Sequence, residues 1–252
     1  MKLIEVKDHE EMSRKACDIL VERVTELSHP VLGLATGSTP KKVYDCLRKK
    51  PISFRDVTTF NLDEYVDIAP NDPNSYRFYM DHIFFNHVDI QTSSTNVPSG
   101  YGLDLQKECQ DYEKKIRGAG GIDVQLLGIG VNGHIGFNEP GTPFNSRTHV
   151  VELSESTRKA NARFFERMED VPKQAITMGI ETILESKEII LLASGLKKAK
   201  AIERLLYGDI SEDFPASALR NHPNVKIIAD HEALSMVYPA LTGINTPTSS
   251  FK

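Results

Sequence analysis

An apolar run from Ile122 to Ile129 ends in the stretch G-I-G-V-N-G-H-I-G-F-N-E-P, Gly128 to Pro140. The run has the length and composition of a buried strand. Gly128, Gly130, Gly133 and Gly136 then keep either a strand or a helix from continuing. A tight loop at a strand end is what remains. A loop so poor in side chains brings backbone close to a ligand, and it keeps Asn132, His134, Asn138 and Glu139, groups that orient or move protons. A plain glycine turn with a hydrogen-bonded surface histidine would explain the loop by itself. The other pieces of the chain tip the balance toward chemistry.

Strand-like and helix-like segments alternate on both sides of this loop. Lys2 to Val6 predicts a first strand, and Met12, Ala16, Ile19, Leu20, Val24 and Leu27 lie at helical spacing over about His9 to Leu27. Val31 to Ala35, Val57 to Leu62, Thr148 to Leu153, Glu188 to Ala193 and Val225 to Ala229 predict further strands. Helices are predicted for Ser75 to Phe85, Leu103 to Ile116, Ser154 to Met168 (capped by Ser154 or Ser156), Lys173 to Leu184 and Leu196 to Leu206. Polar stretches at Asp67 to Asn74 and Gln91 to Gly102 predict loops. The pattern predicts an α/β protein, a mostly parallel open sheet sandwiched by helices, Rossmann-like, in a single domain over residues 1–238. From Pro239 the chain turns Pro/Thr/Ser-rich, which predicts a flexible tail over 239–252.

Three turns add chemistry to that frame. Thr36-Gly37-Ser38-Thr39-Pro40 follows a strand and opens a helix, with Thr39 as the expected N-cap and Pro40 in the first helical position. Free N–H groups at such a turn can hold phosphate, and an ordinary capped turn would look the same. The Gly-Lys-Ser/Thr ending of a nucleotide loop is missing, and so is G-x-G-x-x-G. Asp63-Glu64 follows Val57 to Leu62, at a strand's carboxyl end, where an ionised Asp63 could act as a base. Ser194-Gly195 leads a strand into a helix carrying Lys197, Lys198 and Lys200. Arg163 and Arg167, one helical turn apart, could be exposed charges paired with Glu166 or Glu169, or one could grip phosphate.

The net charge of -5 over 252 residues gives no global attraction to nucleic acid or acidic membrane. Cys17, Cys46 and Cys109 are odd in number and lack C-x-x-C spacing, so neither a disulfide framework nor a zinc site is expected. A reducing compartment follows as the simplest assumption. The start, M-K-L-I-E-V-K-D, reaches acids too soon for a signal peptide, and no apolar run approaches the ~20 residues of a membrane span. A soluble cytoplasmic protein is expected.

With T-G-S-T-P, T-F-N-L-D-E-Y, G-I-G-V-N-G-H-I-G-F-N-E-P, S-R-T, A-N-A-R-F-F and S-G-L-K-K-A in this order, the chain resembles the glucosamine-6-phosphate deaminases, to about residue 235. The resemblance implies conversion of glucosamine 6-phosphate and water to fructose 6-phosphate and ammonia, with no cofactor and no metal. It implies that Asp63 moves the proton at C2, that His134 opens the sugar ring and that Glu139 is its acidic partner. Asn132 stands where part of the family has Asp. Gly37, Ser38 and Thr39 of the turn, with Arg163 and Lys198, match the phosphate contacts. His149 and Val151 stand where larger, hexameric members carry basic effector-binding residues, which favours a monomer or small homo-oligomer over an allosteric hexamer. A 6-phosphogluconolactonase-like hydrolase on the same scaffold and a non-enzymatic sugar-phosphate sensor stay open as alternatives. A sensor would need no Asp63, and a lactonase would need no acid–base work at C2.

Overall fold

The computed structural model describes residues 1–102, 104–162, 165 and 167–238. The expected flexible tail, 239–252, lies outside them. The first strand, β1 (Lys2–Val6), leads into α1 (His9–Glu26), whose first turn is capped by Asp8 accepting from the Glu11 N–H. Then follow β2 (Val31–Leu34), α2 (Lys41–Leu47), β3 (Thr58–Asn61), β4 (Asp63–Tyr65), α3 (Tyr76–Ile83), β5 (Thr95–Asn96) and α4 (Leu105–Gly118). The second half runs β6 (Val124–Gly128), β7 (His149–Glu152), α5 (Glu155–Asn161), β8 (Gln174–Thr177), α6 (Ile180–Leu184), β9 (Glu188–Ala193), α7 (Ala199–Tyr207) and β10 (Val225–Asp230).

Among the described residues a seven-stranded sheet has the order β1-β10-β9-β6-β2-β3-β5, and every pairing in it is parallel. Side chains of successive residues alternate between two helix layers. On β9, Ile189, Leu191 and Ala193 face α4, α6 and α7, while Ile190 and Leu192 face α1, α2 and α3. Burial on both faces is why these strands read as continuous apolar runs rather than alternating ones. Each fully buried Ile or Leu contributes roughly 1.5–3 kcal/mol of transfer free energy.

Several expectations give way here. Lys173 to Leu184 is not one helix: Gln174–Thr177 is the middle strand of a small antiparallel sheet, β4-β8-β7, and only Ile180–Leu184 is helical. The apolar residues of this stretch fit either period, and strand partners on both sides decided the outcome. Gly179 marks the break, where any side chain would collide with the carbonyls of Ser146 and Arg147. The loop expected at Gln91 to Gly102 contains β5, the sheet's short edge strand. The helix expected to reach Met168 ends at Asn161, with Ser154 as its cap accepting from the Thr157 N–H. Pro40 is the N-cap of α2 rather than its first residue, and Thr39 does not cap it. Cys17 on α1 and Cys46 on α2 form a disulfide with Cα atoms 6.2 Å apart. The pairing, made by two packed helices far apart in sequence, corrects the expectation of none and removes that argument for a reducing compartment. No helix among the described residues is long and apolar enough to cross a membrane.

Candidate active site

Strands β2 and β6 lie side by side, yet the chain leaves them in opposite directions: from β2 through α2 to β3, and from β6 to β9 on the far side. Such a reversal opens a crevice at the strands' carboxyl ends, the usual ligand position in open parallel sheets. The turn Gly37-Ser38-Thr39 follows β2, the glycine loop follows β6, Asp63 follows β3 and Lys198 follows β9. Parallel pairing therefore brings all four segments to one edge.

The glycine loop folds back on itself through Gly130 N–H to His134 O (2.9 Å) and Gly133 N–H to Gly130 O (3.1 Å). The His134 ring lies over Gly130, in space a side chain there would occupy. The loop's far half is tied to the small sheet. Phe137 N–H donates to Thr177 Oγ1 at 3.1 Å, and Asn138 Nδ2 donates to Met178 O and Ile135 O at 2.8 Å each. Phe137 also packs against Tyr65 and Tyr76. Its near half is held by the segment before β10: Ala216 N–H donates to Gly133 O at 2.8 Å, and the Phe214 ring occupies the place of a Gly133 side chain.

Asn132, His134 and Glu139 meet inside this loop. Asn132 Nδ2 donates to Glu139 Oε2 at 2.6 Å, and Asn132 Oδ1 accepts from the His134 N–H at 3.2 Å. Thr157 of α5 donates to Glu139 Oε1. His134 Nδ1 lies 3.6 Å from the same oxygen, an electrostatic contact too long for a hydrogen bond. Burial works to raise the Glu139 pKa, but the His134 ring, Thr157 and Asn132 outweigh it and hold the carboxylate at about 2. Nδ1 is buried while the His134 side chain as a whole is 31% exposed, so the ring turns its other edge outward.

Asp63 opens β4 and pairs with Thr177 of β8. Its Oδ2 lies 3.7 Å from where a Gly136 Cβ would stand, so the carboxyl abuts the glycine loop two residues past His134. It is 6% exposed. Burial, with the neighbouring Glu64 carboxylate, pushes its pKa up to about 8. The sequence suggests an ionised Asp63 at neutral pH, and burial works against that by favouring its acid form. Glu64 faces away and accepts from the N–H groups of Tyr65, Tyr76 and Arg77, which fixes the start of α3. Burial nonetheless lifts it to about 7.

The turn after β2 has its carbonyls drawn inward. Ala35 O accepts from Tyr44 Oη at 2.5 Å, Gly37 O from Tyr79 Oη at 2.7 Å and Thr39 O from His9 Nε2 at 3.0 Å. Peptide N–H groups at such a turn can hold an anion. Lys198 ends a short 3₁₀ turn, Leu196–Lys198, whose entry is fixed by Asp230 accepting from Ser194 Oγ and the Gly195 N–H. Arg163 lies outside the described residues. Arg167 is exposed, as expected, but forks onto Asp170 at 2.9 and 3.1 Å where Glu166 or Glu169 was the expected partner.

Thr157, Thr177, Phe214 and the two tyrosines that hold the turn after β2 escaped sequence reasoning. Thr157 carried one usable signal, its place three residues after the cap Ser154. Phe214 and Thr177 carried none, because each acts through a contact distant in sequence.

A doubly wound parallel sheet with proton-handling groups gathered at its switch point is the layout of an α/β enzyme acting on a small ligand. Residues 7–228 match the family model described as glucosamine-6-phosphate isomerases/6-phosphogluconolactonase, and the chain belongs to that family. It is 57% identical over 240 residues to the glucosamine-6-phosphate deaminase of Shouchella clausii, covering 94% of this chain and 97% of that one. A monomeric glucosamine-6-phosphate deaminase of known structure superposes with a TM-score of 0.92 at 52% identity, covering 94% of this chain and 100% of that one. The 6-phosphogluconolactonase of Trypanosoma brucei gives 0.76 at 20% identity over 94% of this chain and 98% of that one, a likeness of fold alone.

Proposed function

We propose that this protein converts glucosamine 6-phosphate and water to fructose 6-phosphate and ammonia. The observation that carries the reading is the buried Asp63 carboxyl set against the loop that holds His134 and Glu139. An aldose–ketose shift needs one group at C2 and another at the ring oxygen and O1. His134, with its outward edge at the crevice, shuttles the proton from O1 to the ring oxygen and opens the ring. Glu139 stays ionised behind it and balances the charge of the imidazolium that forms.

Asp63 then takes the proton from C2, the pair of electrons left behind forms the C1–C2 double bond, and O1 takes a proton from the substrate ammonium, which leaves the enolamine. Protonation at C1 gives the ketose iminium, to which water adds, and the C2–N bond breaks to release ammonia. Asp63 must lose its own proton first. The substrate supplies the means: an ammonium group beside the carboxyl favours its ionised form, which offsets the burial that favours the acid. The turn at Gly37-Ser38-Thr39, together with Lys198 and Arg163, anchors the 6-phosphate and so fixes C1 and C2 at the reacting groups.

His149, in an effector residue's place, spends its ring on Arg147 O at 2.8 Å. We infer an enzyme that works as a monomer or small oligomer without an allosteric effector. Ammonia and fructose 6-phosphate released in equal amounts from glucosamine 6-phosphate support the assignment. Turnover of 6-phosphogluconolactone alone, or binding without turnover, would replace it with the lactonase or the sensor.

A further inference from the structure

Glu139 has two oxygens, and the one nearer the imidazole is contested. Thr157 Oγ1 donates to Oε1, and His134 Nδ1 stands 3.6 Å from the same atom. The hydroxyl that holds it belongs to α5, outside the glycine loop. Ser154 Oγ donates in turn to Thr157 Oγ1 at 3.0 Å and accepts from the Thr157 N–H at 3.2 Å. Capping of α5 thus uses the Thr157 backbone and the Ser154 side chain. The Thr157 hydroxyl is surplus to the helix's own structure and is spent on Glu139.

We propose that Thr157 is a positioning residue that orients the Glu139 carboxylate behind the His134 ring. The hydroxyl fixes Oε1 at 3.6 Å from His134 Nδ1, where the carboxylate faces the imidazolium as it forms. The inference rests on the proposed function of the site.

The test is a double-mutant cycle of Thr157→Val and Glu139→Gln, with Thr157→Ser as the conservative control, assayed on glucosamine 6-phosphate. Thr157→Val should lower kcat roughly tenfold, in line with loss of a hydrogen bond to a charged group, with KM changed less than about twofold. Thr157→Ser should restore most of the loss. In the Glu139→Gln background Thr157→Val should cost less than about twofold more, because its target is already altered. Equal costs in both backgrounds, wild-type kcat in Thr157→Val, or failure of Ser to rescue would each overturn the proposal. If Val disturbs folding, seen as a lowered melting temperature, Thr157→Ala carries the same comparison. A wild-type protein that releases no ammonia would instead remove the proposed function, so the two failures are distinct.

Discussion

Asn132 donates its side-chain amide to Glu139 at 2.6 Å, while its carbonyl oxygen receives the His134 backbone N–H. The residue thus orients the carboxylate rather than the imidazole ring. An aspartate there would place two carboxylates at hydrogen-bond distance, and one would have to keep a proton. Asn132→Asp should therefore move the acidic limb of the kcat/KM profile to higher pH by about one unit or more, as a property of the pair. A pH–rate series on wild type and variant checks this, and coincident acidic limbs would count against it.

Asp63→Asn should lower kcat by roughly 10²–10⁴ while leaving KM within a few-fold, the signature of a lost general base. Steady-state kinetics decide. A variant with wild-type kcat would remove Asp63 from the chemistry.

The same substitution has a thermodynamic signature. The folded-state pKa of Asp63 is raised from an ordinary 3.8 to about 8, so between those values the folded protein binds the extra proton. Stability contributed by this site falls as pH rises from about 4 to about 8 and then levels off. An amide carries no such penalty. Asp63→Asn should melt above wild type at pH 8, with the gap closing toward pH 4. A gap that is constant with pH would show that Asp63 titrates normally.

Gly133 combines a φ of +86° with a Cβ position already filled by the Phe214 ring. Gly133→Ala must displace either the ring or the loop, and a misplacement of about 1 Å at a reacting group can cost ~10²-fold in rate. We expect kcat/KM to fall by roughly that factor, with a lowered melting temperature. An alanine variant with unchanged kinetics would show that the loop does not depend on this packing.

Lys198→Ala should act mainly on KM, and unphosphorylated glucosamine should be a poor substrate for the wild type. Comparable kcat/KM for the two sugars would mean that the turn after β2 and Lys198 do not anchor the phosphate.

The layered sheet was legible in the sequence because strands buried on both faces leave unbroken apolar runs, as at Glu188–Ala193 and Val124–Gly128. The small sheet was not. Gln174–Thr177 carries too few residues to separate strand from helix, and its identity comes from partners at Asp63–Tyr65 and His149–Glu152. At the site, Asn132, His134 and Glu139 were legible because one glycine loop carries all three. Asp63 could be singled out by its place after β3, but not its protonation, since that depends on burial by the loop folded against it. Thr157 and Phe214 reach the site through tertiary contacts, and only the place of Thr157 after the cap Ser154 left a trace in the local pattern.

The most direct test follows the fate of the C2 hydrogen. Wild type and Asp63→Asn are incubated with glucosamine 6-phosphate in deuterium oxide, and ammonia, fructose 6-phosphate and label at C1 are measured together. Wild type should release both products in equal amounts with solvent hydrogen appearing at C1, and the variant should lose product and exchange together. Wild-type ammonia release that persists undiminished in Asp63→Asn, or no ammonia from wild type at all, would contradict the account.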